Sequence, residues 1–322
     1  MFANMFCFGV LALALFSGSP MAADYPERNL RFLVAWPAGG SADVLARFVS
    51  QRLEPVLGKS IVIENRPGAS GNIGAAAVAQ APADGYTLLL TVGAITIAPA
   101  LLKNPGYDVE RDLRPLVILG ETPFLLIVNA AVPVKSAGEF LGYAKAQGGR
   151  LNFANGGSGT IPYLLAEVFR AQAGIDFQQI THPKGGIQAL QELAAGRSDF
   201  TIDGGPHVKQ QLDSQKVRAL ASASKQRVRA YPDLPTMQEA GLPAIEGSTW
   251  TAFFVPRATP EPIVRKLNTE IVRILRDPGM IERFRQASVE PIGNTVEEAE
   301  LFVAGQIRKW AEAARIARIK PE

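Results

Sequence analysis

Two glycine-rich turns hold the residue types in this chain that are suited to binding chemistry. The first reads "WPAGGSAD" and supplies the candidate site residues Trp36, Ala38, Gly39, Gly40, Ser41 and Asp43. The second reads "GGSGTIPY" and supplies Gly156, Gly157, Ser158, Gly159, Thr160 and Tyr163. Each turn follows an apolar run typical of a strand and precedes apolar residues at helical spacing. Both turns are therefore predicted to connect a strand to a helix.

The chemistry expected of such a turn is anion binding. The first N–H groups of a helix have no intrahelical partner and carry partial positive charge. Glycine has no Cβ, so an anion can approach these N–H groups closely. A tight turn with a helix cap explains either stretch alone. The two together, about 115 residues apart in sequence, predict a carboxylate held from both sides.

Three side chains near the turns allow two interpretations each. Asp43 is favourable in the first turn of a helix because of the helix dipole, but it can also accept a hydrogen bond from a ligand. Trp36 and Tyr163 stand beside the turns, where a large aromatic side chain either belongs to the core or lines a cleft. We favour the cleft for both aromatic residues.

Motifs for catalysis and for metal or nucleotide binding are not found in the sequence. The two histidines, His182 and His207, lack metal-ligand spacing, and each is expected on the surface or in a loop. No G-x-S-x-G elbow and no G-x-x-x-x-G-K-[ST] phosphate loop occurs. The chain is therefore predicted to be neither an enzyme nor a protein with a metal or cofactor.

The composition is that of an ordinary soluble chain, and the N-terminus indicates export. The 33 Lys and Arg residues are dispersed among 30 Asp and Glu residues, which argues against a nucleic-acid surface. The apolar run from Met5 to Phe16 is shorter than the ~20 residues of a membrane span. Small residues follow it, as in a signal peptide. We expect 1–23 to be removed, and with it Cys7, the only cysteine.

Strand-like and helix-like stretches alternate from residue 29 onward. This alternation predicts an α/β fold with parallel sheets and right-handed crossovers. Ligands of such folds bind beyond the carboxyl ends of the strands, where both glycine turns are predicted to lie. The length of 322 residues suggests two domains.

The order and spacing of several motifs make the resemblance to one family specific. From residue 25 to 322 the chain resembles the periplasmic substrate-binding receptors of tripartite tricarboxylate transporters, the Bug family. The resemblance rests on "NLRFLVAWPAGGSADVLAR", "VIENRPGASGNIGAAAVAQAPADGYTLLL", "NFANGGSGT", "KGGIQALQELAAGRSDFTID" and "TWTAFFVPRATP". It implies a two-lobed periplasmic-binding fold of type II that closes over a small organic acid in a cleft. It also implies ligand contacts from both glycine turns and from Asp203, which could otherwise be a simple strand-end residue.

The resemblance further implies a lobe arrangement and a ligand range. Lobe I is expected to comprise 24–124 and 225–322, and lobe II 125–224, with hinges near 121–126 and 220–226. Ala42 and the segment 161–163 depart from the family pattern by replacing polar groups with apolar or aromatic ones, and Pro183 stands where the family commonly has an aromatic residue before lysine. We therefore expect a mono- or dicarboxylate with an apolar or aromatic remainder.

Three functions remain open at this point. The first is a monomeric receptor that delivers its acid to membrane transporter subunits. The second is a sensor that presents its closed form to a membrane kinase. An exported enzyme is the third and the least favoured.

The export signal gives the first testable prediction. Because the apolar run is too short to anchor the chain, the mature protein should begin near Asp24. Mass spectrometry of the exported fraction measures the N-terminal peptide directly. A chain that retains Met1 in that fraction would contradict the prediction.

Overall fold

The computed structural model describes residues 25–182, 185–242 and 245–319. The predicted signal peptide lies outside the described residues. Two mixed sheets form the framework, and helices cover their faces. The predicted α/β class and the two-lobed architecture are thus confirmed. No helix in the described ranges is long and apolar enough to cross a membrane.

The strands alternate with helices through most of the chain. In chain order the strands are β1 (Leu30–Val34), β2 (Ile61–Asn65), β3 (Thr87–Val92), β4 (Leu113–Pro123), β5 (Leu125–Asn129), β6 (Asn152–Asn155), β7 (Gln178–Thr181), β8 (Phe200–Asp203), β9 (Val217–Ser222), β10 (Ser248–Pro256) and β11 (Glu290–Pro291). The helices are α1 (Ser41–Leu57), α2 (Asn72–Ala79), α3 (Ala98–Leu101), α4 (Val109–Asp112), α5 (Ala137–Gln147), α6 (Ile161–Ala173), α7 (Gly186–Ala194), α8 (Pro206–Asp213), α9 (Glu261–Leu275), α10 (Pro278–Gln286) and α11 (Val296–Ile316).

Sheet topology divides these strands between two lobes. The first sheet has the order β11-β4-β10-β3-β1-β2, and the second has β7-β6-β8-β5-β9. β1 pairs in parallel with β2 and β3, and β6 pairs in parallel with β7 and β8. β5 and β10 run against both of their neighbours. Each of these two is the first strand after the chain crosses to the other sheet.

Backbone hydrogen bonds join the two crossings. Phe124 donates to the carbonyl of Gly247 at 3.1 Å, and Ala223 donates to the carbonyl of Phe124 at 2.7 Å. Gly247 in turn donates to the carbonyl of Ala223 at 2.8 Å. The crossings overlap both predicted hinge segments and add Gly247. Rotation about them stays a prediction.

The segment between β9 and β10 packs on the second sheet before the chain returns. Ser222 donates to the carbonyl of Pro235 at 2.8 Å, and Met237 donates to the carbonyl of Ser222 at 2.9 Å. Met237, Leu242 and Ile245 are buried in the core of the second lobe. The boundary at residue 225 stays a prediction, and these contacts favour a return to the first lobe at Gly247.

The last helix belongs to both lobes. Val296 and Val303, in its first half, are buried in clusters of the first lobe. Trp310 and Ala314, in its second half, are buried in the cluster that contains Phe153 of the second lobe. α11 therefore packs on both sides of the crossings.

The shared helix gives a prediction about stability. Trp310 is 1% exposed, so Trp310→Ala should lower the free energy of unfolding by about 3–5 kcal/mol, the usual cost of deleting a buried tryptophan. Leu301 on the same helix is 73% exposed, and Leu301→Ala should change it by less than about 0.5 kcal/mol. Urea unfolding of both variants measures the difference. Equal losses would contradict the packing of α11 described above.

Candidate functional site

The first glycine turn follows β1 and leads into α1, as predicted. Gly39 has a φ of +78°, a conformation that favours glycine. Gly40 is the N-cap of α1, with an ordinary φ of −74°, and its N–H donates to the carbonyl of Pro37 at 3.2 Å. No side chain caps the helix. The turn therefore leaves the first N–H groups of α1 without a side-chain acceptor.

Asp43 holds this turn together. Its carboxylate accepts hydrogen bonds from the N–H of Gly39 (3.0 Å), from Arg47 at two nitrogens (2.9 and 3.0 Å) and from Asn65 Nδ2 (3.0 Å). Burial raises the pKa of Asp43, but these hydrogen bonds outweigh it and lower the pKa. Four donors use the acceptor capacity of a carboxylate. The structure thus gives Asp43 a role in shaping the turn, and its contact with a ligand stays a prediction.

Trp36 lies against a neighbouring turn of the same lobe. Its Nε1 is 3.3 Å from the position that a Cβ on Gly71 would take, and Thr91 Oγ1 is 3.4 Å from that position. Trp36 Nε1 is buried and has no hydrogen-bond partner among the described residues. Gly71 is the N-cap of α2, with a φ of +91°. The start of α2 therefore lies beside the first glycine turn.

The second glycine turn follows β6 and leads into α6. Asn155 accepts a hydrogen bond from the N–H of Gly157 at 2.9 Å, which fixes the turn. Thr160 Oγ1 donates to the carbonyl of Gly157 at 2.7 Å, so this hydroxyl proton is already used inside the turn. A Cβ on Gly156 would lie 2.6 Å from the nitrogen of Gly186, so only glycine fits between the two turns.

The two lobes approach each other at this second turn. A Cβ on Gly159 would lie 2.7 Å from Ser70 Oγ of the first lobe. Ile161 Cδ1 is 2.9 Å, and Trp250 Nε1 is 3.0 Å, from the position of a Cβ on Gly93. The second turn thus faces the first lobe across the cleft. Ser158 is exposed, and Tyr163 is partly buried in the first turn of α6; its direction toward the cleft stays a prediction.

Asp203 lies beside His207, a residue that was not among the predicted site residues. Asp203 ends β8, and its Oδ2 lies 3.1 Å from Nε2 of His207 in the first turn of α8. His207 is 23% exposed and lies in a helix, not in a loop. His182 lies in the loop after β7 and is largely buried.

A Gly-Gly pair between a strand and a helix is the sequence pattern that predicts this part of the cleft. Four of the five Gly-Gly pairs in the chain stand between a strand and a helix. Only two of these four were among the predicted site residues. The others are Gly185-Gly186 before α7 and Gly204-Gly205 before α8. Pro183 and Lys184 lie outside the described residues.

Helices that begin at the cleft lack side-chain caps, whereas most of the other helices have one. The helices that begin at the cleft are α1, α2, α6, α7 and α8, and none has a side-chain cap. Side chains cap four helices elsewhere, at Asp108, Ser136, Asp277 and Thr295. The two remaining helices, α3 and α9, also lack a side-chain cap. Among the described residues, the cleft thus gathers helix N–H groups that a bound anion can use.

The described residues form no metal centre. No group of three or more His, Cys, Asp or Glu side chains is placed to hold a metal ion within the described ranges. Arg47, the cation that lies at the first turn, is paired with Asp43.

The chain is similar to known proteins along most of its length. The sequence model of the tripartite tricarboxylate transporter family receptor matches residues 45–318. Protein BugT of Bordetella pertussis is 34% identical over 300 residues, which cover 92% of each chain.

Solved structures extend the likeness to three dimensions. An R. palustris protein solved with adipate is 34% identical, with a TM-score of 0.86 over 93% of this chain and 100% of that chain. MatC from Rhodopseudomonas palustris with bound malate is 31% identical, with a TM-score of 0.81 over 90% of this chain and 99% of that chain. The chain belongs to the family of tripartite tricarboxylate transporter receptors.

Proposed function

We propose that this protein is a periplasmic receptor that captures a small organic carboxylate and delivers it to a tripartite tricarboxylate-type membrane transporter. The observation that carries this proposal is the set of uncapped helix starts on both sides of the cleft. Such N–H groups favour anions. A carboxylate offers two oxygens that can bind donors from both lobes at once.

The ligand class follows from what else borders the cleft. Ile161 and Trp250 are buried where the lobes meet, so the packing beside the cleft is apolar there, and the Ser41 hydroxyl lies near Gly205 of the other lobe. Two relatives were solved with the dicarboxylates adipate and malate. These features support an acid with a short, mainly apolar remainder.

The ligand class can be tested with matched pairs of compounds. A thermal-shift screen should raise the melting temperature with adipate, malate or a related acid, and leave it unchanged with 1,6-hexanediol. At a ligand concentration ~100 times the dissociation constant, binding adds ~2.7 kcal/mol to the free energy of unfolding. Stabilisation by amines or neutral sugars and by no acid would contradict the proposal.

Closure over the ligand gives a further prediction. Gly159→Val places its side chain against Ser70 and should prevent the lobes from meeting. An overpacked contact costs ~1–3 kcal/mol, so affinity for the acid should fall by about ten- to a hundredfold.

A matched control exists in the same lobe. A Cβ on Gly138 meets no heavy atom within 4 Å, so Gly138→Val should bind the acid like the wild type. Calorimetric titration gives the affinity of each variant, and thermal melts give its stability. If Gly159→Val binds as tightly as Gly138→Val, the lobes do not close through this contact.

A further inference from the structure

His207 faces the first lobe from the N-terminal turn of α8. Its Nδ1 and Cε1 are each 3.4 Å from the position of a Cβ on Gly205, and Ser41 Oγ of the first lobe is 3.8 Å from the same position. The imidazole therefore lies where α8 of one lobe meets α1 of the other. Ser41 is also one of the residues predicted to contact a ligand.

Asp203 fixes the orientation of this imidazole. Asp203 Oδ2 is 3.1 Å from His207 Nε2, and Asp203 Oδ1 accepts the N–H of Gly204 at 2.8 Å. An ionised carboxylate only accepts hydrogen bonds, so Nε2 must carry a proton. Nδ1 has no hydrogen bond to any residue in the described part of the chain. A proton gained by His207 is therefore gained at Nδ1.

The charges of this pair would be unfavourable if either stood alone. An imidazolium is disfavoured at the start of a helix, and an isolated carboxylate would repel an anion in the same cleft. Together they are neutral when His207 is protonated. Burial lowers the pKa of His207, but the charge and the hydrogen bond of Asp203 outweigh it and raise the pKa above its usual value.

Charged groups on the neighbouring elements are engaged elsewhere. Arg47 of α1 binds Asp43, and Lys209 of α8 binds Asp213 at 2.6 Å. Arg218 of β9 donates to the carbonyl of Val134. The start of α7 brings Gly186, which is uncharged, next to Asp203. Among the described residues, Asp203 is the charged group that acts on His207.

We propose that protonated His207 is a ligand-binding residue, which donates a hydrogen bond from Nδ1 to a carboxylate of the bound acid and so couples binding to proton uptake. This inference rests on the proposed function, because it requires an acid in the cleft. Below the pKa of His207, the pair is neutral and Nδ1 is a donor. Above that pKa, Nδ1 becomes an acceptor and Asp203 repels the ligand. Affinity therefore falls as the pH rises, by up to about tenfold per pH unit for one linked proton.

Calorimetric titration with adipate and with malate tests this coupling. Wild type, His207→Gln and the control His182→Gln are compared at about pH 6 and about pH 8.5, on either side of the ordinary histidine pKa of ~6.5. Wild type and His182→Gln should lose at least about tenfold in affinity at the higher pH. His207→Gln should bind weakly at both, because it leaves the Asp203 charge uncompensated. A wild-type pH dependence in His207→Gln overturns the inference.

A second measurement needs no substitution at His207. The chain has only two histidines, so NMR spectra of protein without a histidine tag contain two imidazole signals, and His182→Gln assigns them. The pKa of His207 should rise when adipate or malate is added; an unchanged pKa overturns the inference.

Binding that is independent of pH overturns this inference and leaves the proposed function intact. Failure of both acids to bind at either pH overturns this inference, and failure of every acid in the thermal-shift screen removes the proposed function as well.

Discussion

Unpaired backbone N–H groups at the helix starts are the constraint on which the cleft depends. An unsatisfied buried donor costs about 1–3 kcal/mol, so a helix start without a cap persists only where water or a ligand reaches it. The fold meets this condition by placing the starts of α1, α2, α6, α7 and α8 at one cleft. Glycine N-caps maintain it, because a glycine offers no side chain to occupy the same N–H groups.

Most polar side chains around the cleft support the backbone. Asp43 and Asn65 tie the first turn to the end of β2, and Asn155 and Thr160 tie the second turn to the end of β6. These groups have little capacity left for a ligand. Discrimination among acids therefore falls to the few side chains that are not engaged in this way, and to the shape of the apolar surface.

Sequence alone predicts the architecture well and the site only in part. Alternating periodicity gives the α/β class, and two glycine turns give both sides of the cleft. The saturation of Asp43 was not predictable, because its partners Gly39, Arg47 and Asn65 meet only after β1 and β2 pair. His207 was missed because its place depends on where α8 starts and on how the lobes approach. Its spacing of four residues from Asp203 becomes meaningful only once the Gly-Gly turn before α8 is recognised.

The last helix links the two lobes at a place away from the glycine turns. α11 has Val303 in the core of one lobe and Trp310 in the core of the other, so the lobes cannot separate as independent bodies. The proposed opening and closing of the cleft would have to bend this helix or shift the residues packed around Trp310. In the proposed closure, the stiffness of α11 would therefore contribute to the free-energy difference between the open and closed forms. Natural variation along α11 can in this way adjust affinity without altering any residue of the cleft.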